Sequence, residues 1–367
     1  MLKRLHLRNF TVFEDADFEF GPGLNVIVGT NGTGKSHVLK VGYAANLSYA
    51  SAPRNEQSSL FNLDDKNDST PLGFGLLGRL DEAFLPNGLD KLIRRSTIVD
   101  SAIVERAELR LSFGTDDTGK IEVAIMHLNN SPNNLTLLKP AIIGRKTEKP
   151  VFIPPKEMVS LMPGIIGLSD KYDNLFDLTY TGLARQLIVP LLKQVPFYIQ
   201  PILVNLAQLM GGDFESENGR FYLVPTNGER FEISLVAEGY RKLGTLAHLL
   251  ANGTLTPETT LFWDEPEANL NPALLKEMAA VLAMLARAGF QIILATHSLF
   301  LLKELHILSR QEQLPIKYFG LSAENGGPTQ VSTADTLTAL PNLVALDVEM
   351  AQSDIFLDVL NQEDASI

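Results

Sequence analysis

Three short runs in this chain carry residue types suited to handling a triphosphate. Gly29-Thr-Asn-Gly-Thr-Gly-Lys35-Ser36 matches G-x-x-x-x-G-K-[ST]. Glycines at that spacing let the backbone curl until several N–H groups point inward, and a helix N-terminus behind them adds partial positive charge. Lys35 can reach the β- and γ-phosphates, and the Ser36 hydroxyl can ligate Mg²⁺. Asn31, Gly32, Thr33, Gly34, Lys35, Ser36 and His37 are the nucleotide-contacting candidates. Leu261-Phe-Trp-Asp264-Glu265-Pro266 is an apolar run ending in two acids. Asp264 suits a Mg²⁺ ion, and Glu265 suits polarising the water that attacks the γ-phosphate. Gln291-Ile-Ile-Leu-Ala-Thr-His297-Ser298 ends a third apolar run in an imidazole. A lone histidine after a strand is most often structural, but three such runs ending in phosphate-binding, acidic and imidazole groups resist coincidence. ATP and Mg²⁺ are the cofactors this chemistry implies.

These groups can act together only if strands deliver them to one edge of a sheet. Leu24 to Val28 and Leu261 to Trp263 are nearly continuous apolar, as strands covered on both faces should be. Gln291 to Ala295 reads the same way, and Ile316 to Leu321 is a further candidate strand. Helices are expected over Lys35 to about Tyr49, Glu238 to Leu250 and Pro272 to Ala288. The last has Asn271 as N-cap, proline at its first position and Gly289 beyond its end. Leu2 to Leu7 and Ala16 to Phe20 alternate like strands. Ala107 to Phe113 and Ile121 to Leu128 read as a hairpin around Gly114 to Gly119. Strand signals also flank Asn227-Gly228, over Arg220 to Val224 and Arg230 to Leu235.

The expected fold is α/β: a P-loop head with a mixed, mostly parallel sheet core, an antiparallel β lobe and a helical insertion. The head is discontinuous, over 1–157 and 213–334, with an irregular insertion at 51–100. Within it, Ser51 to Pro71 is polar loop, and Gly73, Gly75 and Gly78 prolong the irregularity before a short helix near Asp81 to Arg94. Residues 158–212 form the helical insertion, and 335–367 an acidic tail with a helix near Leu346 to Leu360.

The chain has 367 residues, 45% hydrophobic and 20% charged, which is ordinary globular composition and excludes wholesale disorder. The net charge of −12 argues against a surface coated for nucleic acid, though not against a local basic groove. With no cysteine, disulfides, thiolate metal sites and cysteine nucleophiles are excluded. The N-terminus lacks the apolar core of a signal peptide, and the uncharged stretch Gln194 to Gly212 is broken by Pro196 and Pro201. A cytoplasmic protein without membrane contact is the expectation.

Gly-Leu-Asn-Val-Ile-Val-Gly-Thr-Asn-Gly-Thr-Gly-Lys-Ser, then Asp264-Glu-Pro-Glu-Ala-Asn-Leu-Asn-Pro272, then Ala295-Thr-His-Ser298 resembles the ABC-type ATPase heads of the SMC, Rad50, RecF and OLD group. The opening Leu-His-Leu-Arg-Asn-Phe10 is similar to the first strand of those heads. The resemblance implies a dimer in which two heads sandwich two ATP molecules, with Glu265 and His297 as catalytic residues. Each site is then completed by a signature segment of the other subunit. The matching segment is Leu235-Val-Ala237-Glu238-Gly239-Tyr-Arg-Lys-Leu243, whose Glu238 and Gly239 amides would face the partner's γ-phosphate. Ala237 stands where the family usually has serine. Glu267 to Pro272 is similar to the family's D-loop, and Pro154-Pro-Lys-Glu157 lacks the glutamine of its Q-loop. The span between Ser36 and Ser234 leaves no room for a coiled coil, and no TOPRIM-like segment follows the head.

An ATP-gated homodimer is a switch. As a stand-alone head it resembles subunits of bacterial or phage-encoded defence systems that act on a separate effector such as a nuclease. A RecF-like repair ATPase is the alternative. It would use Lys91, Arg94 and Arg95, or Lys139, Arg145, Lys146 and Lys149, to hold DNA. A transporter nucleotide-binding subunit fits less well, given the Asp264 to Pro272 run and the helical insertion.

Overall fold

The computed structural model describes residues 1–51, 71–94, 106–114, 119–128, 131–142, 148–172, 174–324, 326–341 and 344–364. The chain opens with β1 (Leu2–Phe10), β2 (Phe13–Glu19), β3 (Leu24–Gly29), α1 (Lys35–Ser51) and α2 (Pro71–Phe84). Then come β4 (Arg106–Phe113), β5 (Gly119–Leu128), β6 (Ser131–Ile142) and β7 (Val151–Ile153). Three helices follow, α3 (Met162–Ser169), α4 (Leu178–Leu187) and α5 (Gln200–Met210), and three short strands, β8 (Gly212–Glu217), β9 (Arg220–Pro225) and β10 (Phe231–Glu232). The rest is α6 (Glu238–Ala251), β11 (Thr260–Asp264), α7 (Pro272–Arg287), β12 (Gln291–Thr296), α8 (Leu299–Gln311), β13 (Ile316–Ala323), β14 (Thr329–Ala334) and α9 (Val344–Asp364).

A six-stranded sheet in the order β14-β13-β3-β12-β11-β7 carries the site. Its strands run parallel from β13 to β7, and β14 adds an antiparallel edge. Every residue of β3, β11 and β12 is buried, which is why these strands read as unbroken apolar runs. Alternation sorts their side chains into two cores. Val26, Val28, Leu261, Trp263, Ile292 and Leu294 face a core shared with α5, α6, α7 and α8. Ile27, Phe262 and Ile293 face a second core shared with α1 and an antiparallel sheet of order β2-β1-β4-β5-β6. The helix α1 is therefore packed between two sheets, and its N-terminus is fixed in direction by both.

Several elements differ from the sequence reading. Residues 71–84 are helical, not irregular. Leu76, Leu77, Leu80 and Ala83 recur at helical spacing and are buried against α1, which outweighs the cost of about 1 kcal/mol for each interior glycine. The expected helix near Asp81 to Arg94 is only the end of α2 and a short 3-10 turn, Leu89–Leu92. The β hairpin after α5 turns at Asn218-Gly219, with φ of 51° and 74°, and pairs β8 with β9. That is the two-residue turn with both central residues left-handed. The acidic Asp213 to Glu217 hides its first strand. Arg230 to Leu235 gives only the two-residue β10 and a 3-10 turn. Leu183, Leu187, Ile202 and Leu206 of the 158–212 insertion join the sheet's own core. Sequence reading also missed β6, α8 and β14.

The tail is helical over α9, which meets α8, and residues 351 to 362 are all exposed. Residues 52–70, Arg95, Arg145 and Lys146 lie outside the described residues.

Candidate functional site

The three chemical runs end at one edge. The strands β3, β12 and β11 are neighbours, Val28 pairs with Thr296, and Asp264 pairs with Ala295. The loop at Gly29 to Gly34, the histidine at 297 and the acids at 264 and 265 therefore leave the carboxyl ends of adjacent strands at the same level. Ligands bind there in open α/β sheets.

Sterics shape the loop. Gly34 has φ 91°, and a Cβ there would lie 2.6 Å from Val12 and 2.7 Å from the Phe13 ring. A Cβ on Gly29 would lie 2.5 Å from the Leu321 carbonyl oxygen. The loop is thus pressed between the β1–β2 turn and β13, and only glycine fits at either position. Lys35 is buried, and its Nζ donates to Gly29 O at 2.8 Å and Thr30 O at 3.0 Å. Burial lowers its pKa, opposed by the charges of Glu265, Asp264 and Glu267. The His37 side chain turns away from this role. Its ring packs edge-on against Phe84, with centroids 5.4 Å apart. Burial and the Lys40 charge push its pKa down to about 4, leaving the ring neutral.

Asp264 is 5% exposed, and its Oδ1 is buried without a hydrogen-bond partner. Burial, with the charges of Glu265 and Glu267, pushes its carboxyl up to about 6, against the Ser36 hydroxyl that bonds to it and the Lys35 ammonium. An ionisable oxygen buried with spare capacity beside a serine hydroxyl fits a divalent cation. Among the described residues no group of three His, Asp or Glu side chains could hold a metal ion. Ser36 and Asp264 are the residues that would hold Mg²⁺, whose chemistry there is charge neutralisation across the phosphates.

Glu265 adopts φ 48°, a left-handed conformation that costs a non-glycine residue about 1–3 kcal/mol. Its N–H is tied to Ala295 O at 2.9 Å, and its Oε1 lies 3.6 Å from His297 Nδ1. Sequence reading missed the residue that holds the histidine. Glu267 is buried, and its Oε1 accepts from Thr296 Oγ1 at 2.7 Å and from His297 N at 3.0 Å. It also lies 3.4 Å from His297 Nδ1, and its Oε2 is buried and unpartnered. Two carboxylates thus face one imidazole nitrogen, leaving the other, half-exposed side of the ring for a ligand.

Glu238 and Gly239 sit in a second cluster, at the first turn of α6. Glu238 Oε1 accepts from Asn269 Nδ2 at 2.8 Å, and a Cβ on Gly239 would lie 2.6 Å from Leu274. Ala237 is the N-cap and makes no side-chain cap bond. Lys242, also missed from sequence, is 1% exposed. Its Nζ donates to Ala268 O at 2.7 Å and Glu265 O at 3.4 Å, binding α6 to the segment after β11. Burial lowers its pKa, and the charges of Glu238, Glu267, Glu265 and Glu157 raise it. The available signal was a lysine on a helix arc otherwise filled by Gly239, Leu243 and Leu246. Where the family's Q-loop glutamine would be expected, Glu157 is buried and accepts from Arg241 Nη1 at 3.0 Å. Arg241 in turn donates to Val236 O at 2.7 Å.

Residues 151–303 match the family description "AAA domain, putative AbiEii toxin, Type IV TA system", and residues 4–41 match "AAA domain". The chain is 30% identical over 175 residues to the DNA double-strand break repair Rad50 ATPase of Aeropyrum pernix, 46% of this chain and 18% of that protein. It is 37% identical over 89 residues to the DNA replication and repair protein RecF of Magnetococcus marinus, 21% of this chain and 23% of that one. The match thus spans less than a quarter of either relative. An SMC head crystallised with the C-winged-helix domain of ScpA superposes with a TM-score of 0.55 at 17% identity, covering 92% of this chain and 98% of that one, a likeness of fold.

Proposed function

Starting from the chain being an SMC-, Rad50- and RecF-like ABC-type ATPase head, we propose that it binds ATP with Mg²⁺, closes head-to-head on a second copy and switches a separate effector protein. One observation carries this reading. Adjacent parallel strands bring the loop at Gly29 to Gly34, Asp264, Glu265 and His297 to one level, and Asp264 keeps a buried oxygen free. In the reaction, the loop amides and Lys35 hold the β- and γ-phosphates. Glu265 takes the proton of the attacking water, and His297, held by Glu267, contacts the γ-phosphate. The partner's Glu238–Gly239 turn closes the site from outside. Two sets of γ-phosphate contacts favour the closed pair, and hydrolysis releases it. Ala237 offers no hydroxyl to the partner's nucleotide, which fits slow turnover.

The effector reading places the chain in bacterial or phage-encoded defence, with the effector, such as a nuclease, on another chain. The matched family description names a toxin of a toxin–antitoxin system, which supports it. The similarity to Rad50 and RecF supports the second reading, DNA repair. Two of the cations offered for DNA already have partners within the chain. Lys91 pairs with Asp90 at 3.2 Å, and Arg94 donates to Val12 O at 3.2 Å. On the antiparallel sheet Arg4 pairs with Asp17, and Arg106 and Arg110 both pair with Glu108. No described helix is long and apolar enough to cross a membrane.

The test is Glu265→Gln. It should keep ATP affinity, cut turnover by roughly 10²–10⁴-fold and accumulate an ATP-bound dimer in sedimentation. Wild-type turnover in that variant would remove Glu265 from the chemistry. The trapped dimer then separates the two readings. Tight DNA binding that falls steeply with salt supports repair. A second protein retained by the Glu265→Gln dimer but not by Lys35→Ala supports an effector.

A further inference from the structure

Two exposed apolar surfaces of this chain carry opposite charge. The first is the segment after α4. Ile188, Leu191, Leu192 and Tyr198 are 41–54% exposed there, and Phe197 is 83% exposed. Its backbone is nevertheless fixed. The Leu192 N–H donates to Ala251 O at 3.1 Å, and Asn252 Nδ2 donates to Gln186 O at 3.0 Å and Val189 O at 3.4 Å. From Leu178 to Met210 the charged residues are Arg185 and Lys193, both exposed and with no acid among them. Neither is in an ion pair among the described residues.

The second surface is α9. Ile355 and Phe356 are 65% and 61% exposed, and Leu357, Val359 and Leu360 are 40–56% exposed. Ile355 with Val359, and Phe356 with Leu360, are i, i+4 pairs on adjacent arcs of the helix. Asp354 and Asp358 lie alongside. The helix sequence contains Asp347, Glu349, Asp354, Asp358, Glu363 and Asp364, and no Lys or Arg.

We propose that α9 of one copy docks on the Ile188–Tyr198 surface of a second copy, and that the exchange is reciprocal, giving a dimer that needs no nucleotide. Apolar patches of this kind are rare on surfaces that stay wet. A helix whose charged residues are all acids and a segment whose charged residues are Arg185 and Lys193 are complementary in charge, which fixes partner and register more than it adds affinity. Reciprocity closes the pair with two-fold symmetry, so each copy covers both of its bare surfaces in one association. At 1.5 Å per residue α9 is roughly 30 Å long, enough to lie across the segment. The contact is separate from the phosphate-binding edge and does not depend on the ATPase reading.

The experiment is sedimentation velocity of the full chain carrying Lys35→Ala, without nucleotide, so that any pair seen is not held by ATP. A dimer is expected. Ile355→Asp with Phe356→Asp should yield a folded monomer that melts as the parent does when diluted to monomer, since both side chains are solvent-facing in the single chain. Arg185→Glu with Lys193→Glu should weaken the dimer at least fivefold, as should Asp354→Lys with Asp358→Lys. Combining all four reversals in one chain should restore it. A monomeric parent chain would overturn the proposal, because the helix then serves another partner or folds on its own chain. So would a dimer indifferent to the Ile355 and Phe356 changes, or a four-reversal chain no tighter than either pair of reversals alone.

Discussion

At the carboxyl ends of β3, β11 and β12, polar side chains keep bonding capacity in reserve: Asp264 Oδ1 and Glu267 Oε2 are buried and unpartnered. In the block made by α6 and residues 268–272 the polar groups are spent on one another. Lys242 saturates the carbonyls of Ala268 and Glu265, Glu238 takes Asn269, and Arg241 takes Val236 and Glu157. A buried polar atom without a partner costs about 1–3 kcal/mol, so the first region is held short of satisfaction, as a binding site is. The second is internally satisfied, as suits a surface proposed to present backbone amides to another molecule.

The comparison breaks most sharply at Lys35. Lys35→Ala should abolish ATP binding by calorimetry while leaving the signature block intact. Unchanged affinity would mean the loop does not cradle phosphate. Next comes pH. The folded protein takes up the Asp264 proton near pH 6, whereas an ordinary aspartate does so near 3.8. Between those values the folded state holds the Asp264 proton and the unfolded chain does not, so without ligand Asp264 contributes a rise in stability as pH falls from about 6 toward 4, against the fall contributed by His37, whose pKa burial pushes from 6.5 down to about 4. Asp264→Asn should erase that rise in thermal melts, and Mg²⁺-ATP should stabilise the wild type more at pH 7.5 than at pH 5.5. A smaller effect is expected at Lys242→Met. It strands two carbonyls but also removes a desolvated charge, so its melting temperature should change little. ATP-dependent dimerisation in the Glu265→Gln background should weaken about tenfold with monomer ATP affinity unchanged. Full dimerisation would show that the block needs no internal lysine. The smallest is Ala237→Ser. A cap bond is worth ~1 kcal/mol, which is about 1 °C for a chain of this size. A rise in turnover beyond that shift would locate the missing trans hydroxyl.

The first region was legible in the sequence because its constraints are local. Glycine is forced at 29 and 34, strands buried on both faces read as apolar runs, and reactive residues follow those strands directly. The second was only partly legible. Glu238 and Gly239 follow from a short segment pattern, but Lys242 and Glu157 act through partners that are distant in sequence or buried by tertiary packing. Helix α2 was misread for the same reason: Gly75 and Gly78 argue locally against a helix, and only the α1 surface beneath Leu76 and Leu80 overrules them. The turn at Asn218-Gly219 was a local signal, obscured by the acidic strand before it.

The chain has a single tryptophan, Trp263, fully buried in β11 one peptide bond before Asp264. Its fluorescence therefore has one origin, a dry indole beneath the carboxylate proposed to hold the metal. The molecule has a built-in optical gauge there. Quenching or a spectral shift on adding Mg²⁺-ATP reads out that strand end alone, and the red shift on denaturation marks when water first reaches it.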